Sequence, residues 1–167
     1  ILSLAKDAGI PVVIADIGTD SGEYVSLIGS NNYEGANGVG KALAKALAEE
    51  DKAGGSIGIV GISQARLNGQ ARTKGFKDAV NEAGITKEAG LQQMQAYTAE
   101  ETFKFTQDML TSNPDMTGMF IQTDGPTLGA LQAIKAARMT GDVLVGAFDG
   151  IPEFVPLLQS GELVVSG

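Results

Sequence analysis

Short apolar runs recur along the chain at Pro11 to Ala15, Tyr24 to Gly29, Ser56 to Gly61, Leu91 to Ala96, Met119 to Gln122, Val143 to Phe148 and Leu163 to Val165. Each is bounded by Gly, Asp, Asn or Ser, and such short near-continuous runs suit strands buried on both faces. Between most of them apolar residues fall three and four apart: Val39, Ala42, Leu43, Ala46 and Leu47, then Phe76, Ala79, Val80 and Ala83. That spacing lays one apolar stripe along a helix. A third helix is predicted from near Thr98, with Glu100 and Glu101 in its first turn, where the helix dipole favours carboxylates, and Phe105, Met109 and Leu110 on its face. A fourth opens at Pro126 and carries Leu128, Leu131 and Ile134.

Strand and helix alternate throughout, which predicts an α/β fold: a doubly wound parallel sheet covered by helices on both faces, with right-handed crossovers. Ligands of such sheets bind beyond the C-terminal ends of the strands. The polar residues at those ends are Asp16, Ser30 with Asn31 and Asn32, Ser63, Tyr97, Thr123 with Asp124, and Asp149, and they are expected to share one rim.

Composition narrows the chemistry. The 167 residues, 43% of them hydrophobic, can build a core of one domain's size, and the 23 glycines fall between apolar runs as turns. A net charge of −8 with no cluster of Lys or Arg argues against nucleic acid and anionic membranes as partners. With neither Cys nor His, thiol nucleophiles, imidazole bases and the usual zinc ligands drop out, so no enzyme and no cofactor is expected. No run approaches membrane-spanning length and no signal-peptide pattern is present. The chain opens at Ile1 inside a helix-like stretch and stops at Gly167 just after an apolar run, so both ends read as cut.

Gly35 to Ala42 matches a phosphate-binding loop except that Ala42 stands where the magnesium-holding Ser or Thr belongs. The polar stretch Ser30 to Glu34 also separates it from the preceding strand, so a Gly-rich helix start packing tightly on the sheet is the better reading. Asp149, in Ala147-Phe148-Asp149-Gly150, follows a strong strand, and its carboxylate suits either a helix cap or a ligand contact on the rim. Asp124 holds the equivalent place one strand earlier, either as a ligand contact itself or capping the helix that opens at Pro126 and orienting its neighbours while Thr123 faces the ligand. Arg72 begins the helix of Phe76 and Val80, and is either a solvated cation or a ligand donor. Tyr97 ends a predicted strand and offers a ring face.

The segments Ala8 to Val13 leading to Asp16, Ser30-Asn31-Asn32, Arg72 to Phe76, Asn113-Pro114-Asp115, Gln122-Thr123-Asp124 with Leu128 to Leu131, and Val145 to Gly150 together resemble the type I periplasmic sugar-binding proteins. Ribose-binding proteins are the nearest of these, and the effector domains of LacI-type repressors share their fold. The resemblance covers essentially the whole chain. It implies a flavodoxin-like strand order, residues 1–29 as the end of an N-terminal lobe with its hinge strand, and residues 30–167 as the C-terminal sugar-binding lobe. It implies further that Asp16 and Asp149 accept from sugar hydroxyls, Arg72 donates to sugar oxygens, Ser30 lines the hinge side, Thr123 and Asp124 belong to the site, and Tyr97 stacks on the sugar ring. The implied protein is the solute-binding component of an ABC transporter, in the periplasm or as a membrane-anchored extracellular lipoprotein. Its partners would be a sugar or polyol, a permease and a chemoreceptor. Ile17 stands where ribose binders carry Arg and Thr123 where they carry Asn, which points away from ribose itself. The rival reading, a repressor effector domain, would need a helix-turn-helix upstream.

Overall fold

A computed structural model describes all residues, 1–167. They divide into two units, Ile1–Asn31 and Asn32–Gly167.

In the first unit, helix α1 (Leu2–Asp7) leads to two short parallel strands, β1 (Val13–Ala15) and β2 (Ser26–Ile28), with Val13 opposite Ser26 and Ala15 opposite Ile28. Past β1 the amide of Asp16 still donates to the Ile28 carbonyl at 2.8 Å, which leaves the Asp16 side chain at the C-terminal end of the strand pair.

The second unit is a five-stranded parallel sheet of β3 (Ser56–Gly61), β4 (Glu88–Gln93), β5 (Met116–Ile121), β6 (Leu144–Ala147) and β7 (Val165–Ser166). Its spatial order is β4-β3-β5-β6-β7. Numbered from the unit's own first strand that is 2-1-3-4-5, the flavodoxin-like order, whose switch point falls between β3 and β5. Helices α2 (Asn32–Glu49), α3 (Leu67–Glu82), α4 (Ala99–Ser112), α5 (Gly125–Ala136) and α6 (Phe154–Ser160) complete it.

Alternation along the strands explains how both faces are filled. Ile57, Ile59, Phe120 and Leu144 point to the side of α2 and α3, where they meet Val39, Leu43, Leu47, Phe76 and Val80. Val60, Met119, Ile121 and Val145 point to the other side, against Met109, Leu110, Ile134 and Phe154. Phe76 and Phe120 stack with ring centroids 4.4 Å apart, and each is fully buried. Burying one such ring stabilises the fold by about 2–3 kcal/mol.

The Gly35 to Ala42 segment lies wholly inside α2, so it is no phosphate loop. Of its three glycines, Gly40 packs against α3 and Gly35 against the Phe148 ring beyond β6, while Gly38 faces open space. A Cβ on Gly40 would sit 2.8 Å from the Phe76 carbonyl, and one on Gly75 would sit 2.2 Å from the Tyr33 carbonyl. Asn37 closes this helix crossing by donating to the Gly75 carbonyl at 3.1 Å.

Two strands, β4 and β5, begin earlier than their apolar runs, while β1, β2, β6 and β7 begin later. β4 spans Glu88–Gln93 rather than Leu91 to Ala96, because as an edge strand it pairs only with β3 and stops where β3 does. The last bond of that ladder runs from the Met94 amide to the Gly61 carbonyl. β5 begins at Met116 rather than Met119, since Asp115 already accepts from the Ser56 amide.

Candidate functional site

The chain leaves β3 at Gly61 and enters α3 at Leu67, so the first turns of α3 stand over the C-terminal edge of the sheet. Arg72 lies in the second turn and is buried, its side chain 8% exposed. Its Nη1 and Nη2 donate to the two carboxylate oxygens of Asp149 at 2.8 and 3.1 Å. Nε donates to Asn32 Oδ1 at 2.7 Å, and Nη1 also donates to the Gln122 carbonyl at 2.6 Å. The guanidinium lies 3.8 Å from the centre of the Phe148 ring. A planar fork matched to a carboxylate and stacked on an aromatic face is an arrangement arginine makes and lysine cannot.

Four of the five N–H groups of Arg72 are thereby used, and one on Nη2 is left. Asp149 accepts one bond at each oxygen and keeps its remaining lone pairs, with its side chain 44% exposed. A buried cation is thus neutralised by a carboxylate that still faces solvent. Asp149 has φ 60°, a left-handed conformation Asp tolerates better than most residues, and its amide donates to the Gly167 carbonyl at 3.0 Å. It is no helix cap: α6 starts at Phe154, with Glu153 in the cap position.

Gln122 ties these elements together from the switch point. It is fully buried, its Oε1 accepts from the Ile62 amide at 3.2 Å, and its Nε2 donates to Thr73 Oγ1 at 2.7 Å. One residue therefore joins the ends of β3 and β5 to the start of α3 while its carbonyl holds Arg72. Thr123 donates to Asp124 Oδ1 at 3.2 Å. Asp124 occupies the cap position of α5 without a side-chain cap bond, its carboxylate engaged instead by the Thr123 hydroxyl.

Tyr97 is not at a strand end. It lies four residues past β4, in the loop to α4, with φ 57°. Its hydroxyl accepts from the Ser63 amide at 3.3 Å, and Arg66 sits 5.7 Å over the ring. Arg72, Asp149, Tyr97, Thr123 and Asp124 thus all lie at or just beyond the C-terminal ends of the strands of Asn32–Gly167. Asp16, exposed with φ 73°, and Ser30, exposed after β2, belong to the Ile1–Asn31 unit.

The expected site omitted Gln122 and Phe148, and it placed Asn32 on the rim without assigning it a role. A Gln continuing the wholly apolar Met119 to Ile121 run was a legible sign of a buried polar tie. Phe148 reads as one more strand residue, and nothing in the sequence joins Asn32 to a partner 40 residues away.

A sheet with this switch point and a polar constellation on its C-terminal edge defines a class of ligand-binding α/β protein. A family model described as a periplasmic binding protein domain matches residues 1–166, and the chain belongs to that family. It is 34% identical over 172 residues to a D-ribose/D-allose-binding protein of Pseudomonas aeruginosa, covering 99% of this chain and 52% of that protein. It is 36% identical over 147 residues to a D-apiose import binding protein of Paraburkholderia graminis, covering 87% of this chain and 45% of that one. Among solved structures, an ABC transporter solute-binding protein from Burkholderia multivorans superposes with a TM-score of 0.88 at 32% identity, over 98% of this chain and 58% of the other. The chain spans about half the length of the curated relatives it matches.

Proposed function

We propose that this chain is the sugar-binding part of an ABC importer's solute-binding protein, acting in the periplasm, with the importer's permease as its partner, and that it binds without catalysing. The observation that carries the reading is the Arg72–Asp149 pair. It is close to neutral, held from behind by Asn32, Gln122 and Phe148, and it presents one free N–H beside open carboxylate lone pairs. A hydroxyl is both donor and acceptor, so vicinal hydroxyls satisfy both halves at once, while a charged ligand would unbalance the pair. Tyr97 adds a ring for the apolar face of a pyranose or furanose, and Thr123 with Asp124 adds short polar groups beside it. Relatives named for ribose, allose and apiose support a neutral pentose or hexose. Asn32–Gly167 on this reading is the sugar-binding lobe; within Ile1–Asn31, Asp16 and Ser30 carry a carboxylate and a hydroxyl of the same chemical kind.

Titration of the chain with D-ribose, D-allose, D-apiose, ribose 5-phosphate and magnesium ATP, followed by amide chemical shifts, tests this. Neutral sugars should perturb Asp149, Arg72 and Tyr97 with millimolar or weaker affinity, because a rim whose carboxylate stays open to water leaves the ligand partly hydrated. Preference for the phosphorylated ligands, or shifts confined to Gly35 to Ala42, would sink the reading.

A further inference from the structure

The Tyr97 loop carries an unusual restraint. The amides of three consecutive residues, Gln95, Ala96 and Tyr97, donate to the carboxylate of Glu101 at 2.8, 2.9 and 3.0 Å. Glu101 in turn donates its own amide to Thr98 Oγ1 at 3.2 Å, which caps α4. In an ordinary capping box the glutamate side chain returns to the amide of the cap residue. Here it reaches past Thr98 to the three residues before it. Successive amides converge on one anion where a left-handed residue folds the backbone back, and Tyr97, at φ 57°, is that residue.

A tyrosine in the left-handed region is strained and persists only where its surroundings enforce it. Two contacts do so, one at each end of the residue: the Glu101 carboxylate on the backbone, and the Ser63 amide on the hydroxyl. The geometry points to Glu101 as a positioning residue for ligand binding, fixing the plane of the Tyr97 ring by holding its backbone in the left-handed conformation. This rests on the proposed role of Tyr97 as the ring that meets the sugar. Glu101 itself touches no ligand.

Amide hydrogen exchange and D-ribose titration of the 167-residue chain, with Glu101→Gln, Thr98→Ala and Tyr97→Leu, separate positioning from helix capping. Glu101→Gln keeps the size but turns an amino group toward backbone N–H groups. Exchange at Gln95, Ala96 and Tyr97 should quicken at least about tenfold while the amides of Thr106 to Leu110 keep their protection. Ribose affinity should fall about three- to tenfold, and no further in the double variant with Tyr97→Leu than in Tyr97→Leu alone. Thr98→Ala should loosen the first turn of α4 and leave ribose affinity unchanged. Wild-type exchange at the three amides in Glu101→Gln, or an equal affinity loss in Thr98→Ala, would overturn the inference. Should Tyr97→Leu bind ribose normally while Glu101→Gln still frees the amides, the ligand role of Tyr97 fails, and with it the binding consequence assigned to Glu101. Exchange decides the positioning step even where ribose binding is too weak to fit.

Discussion

Arg72 and Lys74, two residues apart on α3, share two kinds of partner. Each is a cation with a carboxylate and an aromatic ring: Asp149 and Phe148 for Arg72, Asp78 and Tyr33 for Lys74. They differ in burial. The Arg72 side chain is 8% exposed with its ring at 3.8 Å, whereas the Lys74 side chain is 70% exposed with its ring at 5.3 Å. Arg72 also holds Asn32 and the Gln122 carbonyl, so its loss would strand acceptors from three other elements. Lys74 pairs with Asp78 one turn along its own helix, in water, where such a pair contributes little. The same chemical kit is thus a fixed ligand-facing fork at one position and a solvated surface pair at the next but one.

The largest expected effect comes from substituting Arg72→Lys. Lysine keeps the charge but cannot make the fork, the Nε bond to Asn32 and the contact with Phe148 together. Stability should fall by about 2–3 kcal/mol, read by urea unfolding, and sugar affinity by more than about tenfold. Lys74→Arg should change neither. Equal effects at the two positions would erase the distinction between them.

Asp149→Asn comes next. On sequence grounds alone a rim carboxylate open to water should matter for ligand and little for folding. The bidentate bond to buried Arg72 changes that expectation. The amide keeps one acceptor and sets a donor against the guanidinium, so the unliganded chain should lose about 1–2 kcal/mol, a figure held down by the partial exposure of Asp149. Affinity for the bound sugar should fall about ten- to a hundredfold. Unchanged unfolding together with lost binding would mean that the pair forms only weakly before ligand arrives.

This pair also marks where the sequence stops being informative. Seven strands, the alternation and the fate of Gly35 to Ala42 follow from apolar period and turn chemistry, which are local. The burial of Arg72 is not local. Its partners are Asn32, Gln122 and Asp149, lying 40, 50 and 77 residues away, and only the strand order brings them together. Arg72-Thr73-Lys74 presents two cations in near-identical company, and no periodicity says which faces inward. The Tyr97 loop failed differently: its apolar run extended the strand to Ala96, while the edge position of β4 and the reach of Glu101 end it at Gln93.

The smallest effect is expected at the solvated pair, and it is one of pH. Asp78 is held below the ordinary carboxylate value of 3.8, first by the Lys74 ammonium and then by the Tyr33 hydroxyl. Tyr33 is raised above 10.0, chiefly because its hydroxyl donates to Asp78 at 2.8 Å and ionising it would lose that bond. The two signs give two windows. A carboxylate depressed in the folded state adds stability that is present above its unfolded value and is lost as pH falls through its folded one. A phenol raised in the folded state adds stability that is present below about pH 10 and is lost as pH rises through its folded value. Asp78→Asn removes the titrating acid and the main cause of the Tyr33 shift together. The acid-side decline in stability should become shallower below about pH 4, and the Tyr33 ring resonances should titrate closer to the ordinary value. Between about pH 5 and 8 both groups are in their favoured states, so the pair gives no pH dependence there. The same substitution should leave the Asp149 and Arg72 resonances and sugar binding unmoved, because Asp78 bonds to Lys74 and Tyr33 rather than to the buried fork. A Tyr33 titration unaltered by Asp78→Asn would show that the solvated triad is not formed in solution, leaving the buried fork with no counterpart on α3.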